Sequence, residues 1–428
     1  MSAATRSAAE RLHELGIDRV LDDIGAYIAR QRWAGAADTA VSKVDIEDSA
    51  VLRETDPVLL FCVVRITYQD GRALRYALPL GLRSLDDPFE ERAPDQMIGR
   101  TVSGETMRLL YDAVGDAEFV HLCWRAMRDE TTVATDLGTF HGETLSPDAL
   151  PLDDAPGVRM LAVEQSNTSL VLGEQFFFKH LRRIEEGPSQ ELEMARALMK
   201  ARFEHAVPVL AAMEYTRSSP SPIVLLQPFL HSATEGWALA LTSLRDLYAD
   251  AEEHQADSTL QVHTAVEDQG GSFAGESQRL GAVTAQLHLA LSGSDLDGDM
   301  EPVQVDAATL ERWADSMTAD LDSLLQHPSP ELDPLREVRD ALADRFEALR
   351  GLQPSGLRIR IHGDLHLGQM LRVSNGWVIL DFEGEPNRSP AERRERSSPL
   401  RDVAGMLRSL DYAAAVALTE RVRPDADE

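Results

Sequence analysis

The triplet His362-Gly363-Asp364, an amide at Gln369 five residues after the aspartate, and Asp381 seventeen residues after it stand in an order that suits phosphoryl transfer. Such a transfer needs a carboxylate to orient an acceptor hydroxyl and take its proton, and hard oxygen ligands to hold Mg²⁺ against nucleotide phosphates. Asp364 supplies the first, and Gln369 and Asp381 supply the second. Asp364 follows the alternating run Leu357-Arg358-Ile359-Arg360-Ile361, which reads as a strand, so the triplet falls where a chain leaves a sheet and side chains enter a cleft. Asp381 closes a second apolar run bounded by Asn375-Gly376, and opens Asp381-Phe382-Glu383.

The same order occurs in protein kinases, with a catalytic Asp, an amide metal ligand five residues later and an Asp opening a D-F-G. The nucleotide would then be met upstream. Met160 to Val163 and Leu170 to Leu172 read as strands around a polar turn, Gln165-Ser166-Asn167-Thr168-Ser169, which can offer N–H groups and hydroxyls to phosphates. Lys179 ends the next strand, where an ammonium reaches α- and β-phosphates. A helix from Gln190 to Phe203 carries Glu191 and Glu193, either of which could hold that lysine, and Glu193 is counted with the nucleotide site. The strand Ile223 to Leu230 contains Gln227-Pro228-Phe229, a hinge whose backbone could meet an adenine edge.

Stepping outward, residues Ala8 to Arg32 have helical spacing, and Val58 to Tyr68 and Leu74 to Leu80 read as strands joined at Asp70-Gly71. Further strands are expected through Phe119-Val120-His121-Leu122-Cys123-Trp124, up to an acidic linker from Leu150 to Gly157. Ser277 to Leu291 and Ala308 to Leu325 have helical spacing, with His288 read as a packed core residue. Asp295 to Asp299 resembles part of a calcium loop but lacks the glutamate at its twelfth position, so it reads as a surface turn.

At 428 residues, 43% hydrophobic and 27% charged, the chain has the makeup of an ordinary soluble enzyme of two or three domains. Its net charge of −30 repels nucleic acid and anionic membranes, so neither is expected as a partner. No run reaches the ~18 apolar residues of a membrane span, and the N-terminus lacks an apolar leader, which reads as cytoplasmic. The partner expected is a small molecule, and the protein a monomer or homodimer. Cys62 and Cys123 sit in apolar runs without metal-type spacing and read as buried thiols.

Taken together, Glu164 to Ser169, Lys179 with Leu181-Arg182-Arg183, His362 to Gln369, and Asp381-Phe382-Glu383-Gly384-Glu385-Pro386 resemble the maltokinase-like actinobacterial sugar kinases, a group that includes glucosamine kinases. The resemblance covers most of the chain. It implies an α+β, bilobal fold like that of aminoglycoside phosphotransferases and eukaryotic protein kinases, with a cap subdomain over residues 1–95, a nucleotide lobe over 96–228 and a helical acceptor lobe over 229–428. It implies ATP and Mg²⁺ as cofactors, Asp364 as catalytic base, Gln369 and Asp381 as metal ligands, and Lys179 on the ATP phosphates. The acceptor is expected against Asp364, His362, Glu383, Glu385 and Arg388. Maltokinases usually carry an Arg-Trp-Phe-x-Gly-Lys type of segment near the start, whereas this chain reads Arg32-Trp33-Ala34-Gly35-Ala36-Ala37. That departure favours a sugar other than maltose, and glucosamine is the expected acceptor, its partly protonated amine suiting a carboxylate-rich region. Maltose, an aminoglycoside, or no catalysis at all in a nucleotide-binding regulator are the competing readings.

Overall fold

The computed structural model describes residues 7–35, 39–146, 150, 157–161, 167–254 and 271–422. They divide into two units: Met1–Met199 with Ala206–Thr234 and Leu371–Glu383, and Lys200–His205 with Glu235–Met370 and Gly384–Glu428.

In the first unit, the Ser7 hydroxyl and the Glu10 carboxylate cap each other's backbone to start α1 (Ala8–Glu14). The single helical stretch expected from Ala8 to Arg32 is broken at Gly16, which takes a left-handed φ of 70° where a Cβ would lie 2.3 Å from the Val102 carbonyl oxygen. A second helix, α2 (Leu21–Ala29), then buries Ile24, Tyr27 and Ile28. Five antiparallel strands follow, β1 (Val41–Arg53), β2 (Val58–Tyr68), β3 (Ala73–Ser84), β4 (Met97–Ser103) and β5 (Thr106–Asp112), in the order β1-β2-β3-β5-β4. The β2–β3 turn falls at Asp70-Gly71, as expected.

Strand β2 is an almost unbroken apolar run because both its faces are covered. Leu60, Cys62 and Val64 join a core with Ile24, Ile28 and Trp33, while Leu59, Phe61 and Val63 join another with Phe119, Trp124 and Phe178. Phe119 and Trp124 overturn one expectation. The run from Phe119 to Trp124 is not strand but part of a helix, α4 (Ala117–Arg128), which follows the short α3 (Phe89–Arg92). Its β-prone residue types conceal a helical period visible only over the longer window: Phe119, Val120, Cys123, Trp124 and Met127 are the buried positions, and Asp116 caps the start.

A seven-stranded antiparallel sheet completes this unit: β6 (Thr132–Ala134), β7 (Thr139–Thr144), β8 (Val158–Met160), β9 (Asn167–Leu172), β10 (Phe176–Leu181), β11 (Ala211–Thr216) and β12 (Pro220–Pro228), in the order β6-β7-β11-β12-β10-β9-β8. Helix α5 (Gln190–Lys200) follows β10. The first sheet is tied to the second through Ala77 N–H to Arg182 carbonyl at 2.8 Å, Ile184 N–H to Arg75 carbonyl at 3.0 Å, and His180 Nε2 to the Ala77 carbonyl at 3.1 Å. Late in the chain, the strand Gly376–Ile379 returns to this unit, where Ile379 pairs with Ala206 and places Asp381 beside β10.

The second unit is mostly helical: α6 (Gly236–His254), Gly271–Leu291, Ala307–Leu325 and Leu400–Val422 are its long helices. Helix α6 lies along the last of these, with Trp237 and Tyr412 ring centroids 5.4 Å apart and Tyr248 hydroxyl donating to the Ala414 carbonyl. The strand expected over Leu357 to Ile361 is shorter, Leu357–Arg358, pairing with Val303–Gln304, and Ile359 continues it by a bridge to Ser397. Among the described residues, no helix is long and apolar enough to cross a membrane.

Candidate active site

Lys179 occupies the centre of β10, flanked by Ser169 on one side and Leu225 on the other, and is only 7% exposed. Its ammonium is ringed by carboxylates: Glu191 at 3.1 and 3.2 Å, Asp381 at 3.2 Å and Glu383 at 2.5 Å. Of the two glutamates that the sequence left open, Glu191 bonds the lysine through both carboxylate oxygens. Burial works against the lysine's charge, but Glu191, Glu383 and Asp381 outweigh it and hold the ammonium well above its usual pKa. Burial pushes Glu191 up to about 8; Lys179 opposes this, while Glu383 and Asp381 add to it.

Glu191, Asp381 and Glu383 each bring one oxygen within 4.8 Å of the others, a hard donor set of the kind that holds divalent cations. Asp381 itself has φ of 57°, a conformation that L-residues adopt at a cost and that concentrates at functional sites.

Gln165 and Ser166 lie outside the described residues. Asn167, Thr168 and Ser169 are not in a turn, as expected, but are the buried opening of β9, because their backbone pairs with β10 from Leu181 to Lys179. Asn167 still reaches Glu383 through its side-chain amide at 3.5 Å. The Thr168 hydroxyl accepts from Arg182 Nε at 2.8 Å, and Arg182 also pairs with Asp112, whose carboxylate takes the Tyr27 hydroxyl. Trp33 lies under the same guanidinium at 4.7 Å. The N-terminal helices and β5 thus fix the residue three positions beyond Lys179. Gln227 pairs with Phe177 near the end of β12, and Phe229 donates its N–H to the Gln175 carbonyl.

In the second unit, His362, Gly363, Asp364 and Gln369 lie on one tight loop. Gly363 has φ of 84°, and Gln369 ends a 3-10 turn opened by His366. Asp402, from the helix Leu400–Val422, accepts the N–H groups of His362 at 3.0 Å and Gly363 at 2.9 Å, and a bond from His288 Nε2 at 3.0 Å. His288 is thus packed, as expected, and also a donor. Burial opposes the Asp402 charge, yet His288, His362 and the Gly363 N–H together hold its carboxyl below the usual range.

His362 is fully buried, and its Nδ1 accepts the Asp364 N–H at 3.3 Å. His366 Nδ1 accepts the Gly368 N–H, which leaves the proton on Nε2, 3.9 Å from the Asp364 carboxylate. Asp364 is half-buried, open enough to meet a ligand. Glu385 is gripped by Arg388 at 2.9 Å and Arg401 at 2.8 Å, so two residues expected at the acceptor site are in contact. Sequence reasoning missed Asp402 and Asp112 and gave Arg182 no role of its own, because the burial of each shows only in the fold.

Residues 27–116 match the family described as the maltokinase N-terminal cap domain. The chain is 27% identical over 277 residues to a glucosamine kinase of Streptacidiphilus jiangxiensis, covering 63% of this chain and 57% of the relative. It is 28% identical over 268 residues to a glucosamine kinase of Mycolicibacterium smegmatis, covering 61% of each. The alignments therefore span less than two thirds of the length of these relatives. A solved glucosamine kinase in complex with glucosamine, ADP and inorganic phosphate superimposes with a TM-score of 0.61 at 21% identity, over 94% of this chain and 82% of that one. A second crystal form gives 0.62 at 21% identity, over 92% and 80%. The fold is that of these solved structures, and the chain is similar to the maltokinase cap domain over residues 27–116 and to glucosamine kinases over 61–63% of its length.

Proposed function

We propose that this chain is an ATP-dependent sugar kinase that moves the γ-phosphoryl group of ATP to the 6-hydroxyl of glucosamine. The observation that carries the reading is the buried Lys179 ammonium held by Glu191, Asp381 and Glu383, an arrangement with a surplus of negative charge beside a cation suited to phosphates. The names of the relatives supply the sugar.

On this reading the sheet with Lys179 is the nucleotide lobe, the N-terminal sheet a cap, and the helical unit the acceptor lobe of a bilobal kinase. Lys179 binds α- and β-phosphate oxygens and is kept charged and aimed by Glu191. Asp364 orients the acceptor hydroxyl and takes its proton as the bond to phosphorus forms and ADP leaves. His366 sets its Nε2 3.9 Å from that carboxylate. Glu385, fixed by Arg388 and Arg401, keeps lone pairs for the amino group of the sugar. The oxygen set of Glu191, Asp381 and Glu383 fits Mg²⁺, which Asp381 would hold and which, bound, would offset phosphate charge.

A second reading is favoured by the cap match alone: transfer to the anomeric hydroxyl of maltose. ATP consumption by the purified chain against glucosamine, glucose, N-acetylglucosamine, maltose and kanamycin separates the two. Glucosamine turnover with an acid-stable product supports the proposal. Maltose turnover with an acid-labile, non-reducing product replaces it, and silence on every sugar leaves a non-catalytic nucleotide binder.

A further inference from the structure

Away from the residues given roles above, the second unit gathers four arginines around one cleft. Strand Leu357–Arg358 pairs with Val303–Gln304, and Ile359 bridges to Ser397, so Arg358 is brought beside the segment that follows the short helix Pro390–Arg393. Arg312 comes from the helix Ala307–Leu325. With Arg394 and Arg396 they line a cleft of about 470 Å³, whose acids are Asp299 and Glu395. That volume falls in the range of small-molecule sites, roughly 300–1,000 Å³.

The charges there are not balanced pair by pair. Arg394 holds Asp299 at 2.8 Å. Arg396 donates to the carbonyls of Glu301 at 2.6 Å and Gly298 at 2.7 Å, which satisfies hydrogen bonds but cancels no charge. Arg312 reaches the Thr309 hydroxyl at 3.1 Å. Arg358 has its Nε buried with no acceptor. The nearby Asp306 is committed to capping its helix: the Thr309 hydroxyl and N–H chiefly hold its carboxyl low, with Arg358 and Arg312 adding. The guanidiniums of Arg358 and Arg312 thus keep positive charge in the cleft lining that an entering anion would offset.

We propose that this cleft binds the phosphoryl group of a small molecule, either inorganic phosphate or a sugar phosphate. Guanidinium forks match the oxygens of phosphate, and convergent arginines need a reason in a chain of net charge −30. The bound group would tie together Arg358, four residues before His362, the helix of Arg312, and the segment of Arg394. The site does not depend on the proposed activity, since none of its residues has been given a role in it.

The test is calorimetric titration of the full chain, and of Arg358→Met and Arg312→Met, with inorganic phosphate, with glucosamine 6-phosphate, and with chloride at matched ionic strength. Saturable binding of a phosphate species that weakens about tenfold or more in each variant is expected, with sugar-dependent ATP turnover in phosphate-free buffer unchanged. Tighter binding of the sugar phosphate would identify it as the ligand, and equal binding would identify phosphate itself. Equal affinity in wild type and both variants, or the same response to chloride, would overturn the proposal. Should Arg358→Met not fold, Arg312, which is exposed, keeps the test intact.

Discussion

Asp402 accepts the backbone N–H of Gly363 at 2.9 Å, so a residue 39 positions downstream, on a helix, fixes the residue immediately before Asp364. Together with the bond from His362 N–H, it turns one buried carboxylate into the clamp of the loop that carries the proposed base.

Asp402→Asn keeps one acceptor oxygen and turns an NH₂ either toward the Gly363 N–H or toward the N–H groups of His362 and His288. Misplacing a base by about 1 Å costs roughly 10²-fold, so kcat should fall by about that factor, with KM for ATP little changed. Steady-state kinetics on the folded variant check this, and an unaltered kcat would remove Asp402 as a positioning residue.

Lys179→Met leaves Glu191, Asp381 and Glu383 within 4.8 Å of one another with no cation between them. Breaking a buried pair in this way costs about 3–5 kcal/mol, so the variant should melt well below wild type and be raised more than wild type by Mg²⁺. Equal melting temperatures without metal would contradict the burial assigned to this cluster.

Buried His180 is kept neutral, its pKa lowered to about 3, first by burial and then by the Arg182 charge. An unfolded histidine titrates near 6.5, so between those values the unfolded chain binds a proton that the folded chain refuses, and stability falls as pH drops through that window. His180→Phe, which fits beside the rings of Phe61 and Phe119, should lower stability at neutral pH by losing the bond to Ala77 but flatten the acid loss. Urea midpoints at about pH 7.5 and about pH 5 measure both; an equal acid loss in the two proteins would deny the neutral ring.

Gly16→Ala should destabilise by about 1–3 kcal/mol, from a Cβ 2.3 Å from the Val102 oxygen in addition to a left-handed backbone. A thermal midpoint equal to wild type would show that the break between the first two helices has room to give.

Much of the site was legible because its signals are short in sequence. The loop His362 to Gln369 and the turn into Asp381 each gather the residue types of the proposed chemistry within ten residues, and the Asp70-Gly71 turn is local in the same sense. What was hidden depends on distant partners. Glu191 and Glu193 lie on different faces of one helix, and only the packing of that helix on β10 selects Glu191. Phe119 to Trp124 reads as strand over six residues and as helix over twelve. Asp402 is one acid in a long helix until the loop of Gly363 folds against it. Asn167 to Ser169 have turn-forming residue types, yet pairing with β10 draws them into the sheet.

The most direct measurement is glucosamine-dependent ADP formation by wild type and Asp364→Asn side by side, with the phosphorylated sugar identified by ³¹P NMR. The account predicts an acid-stable 6-phosphate from wild type, and turnover lower by roughly 10²–10⁴-fold in the variant, the usual contribution of a positioned base, while ATP still binds. Near-normal turnover in Asp364→Asn, or no glucosamine-dependent ADP from wild type, would contradict it.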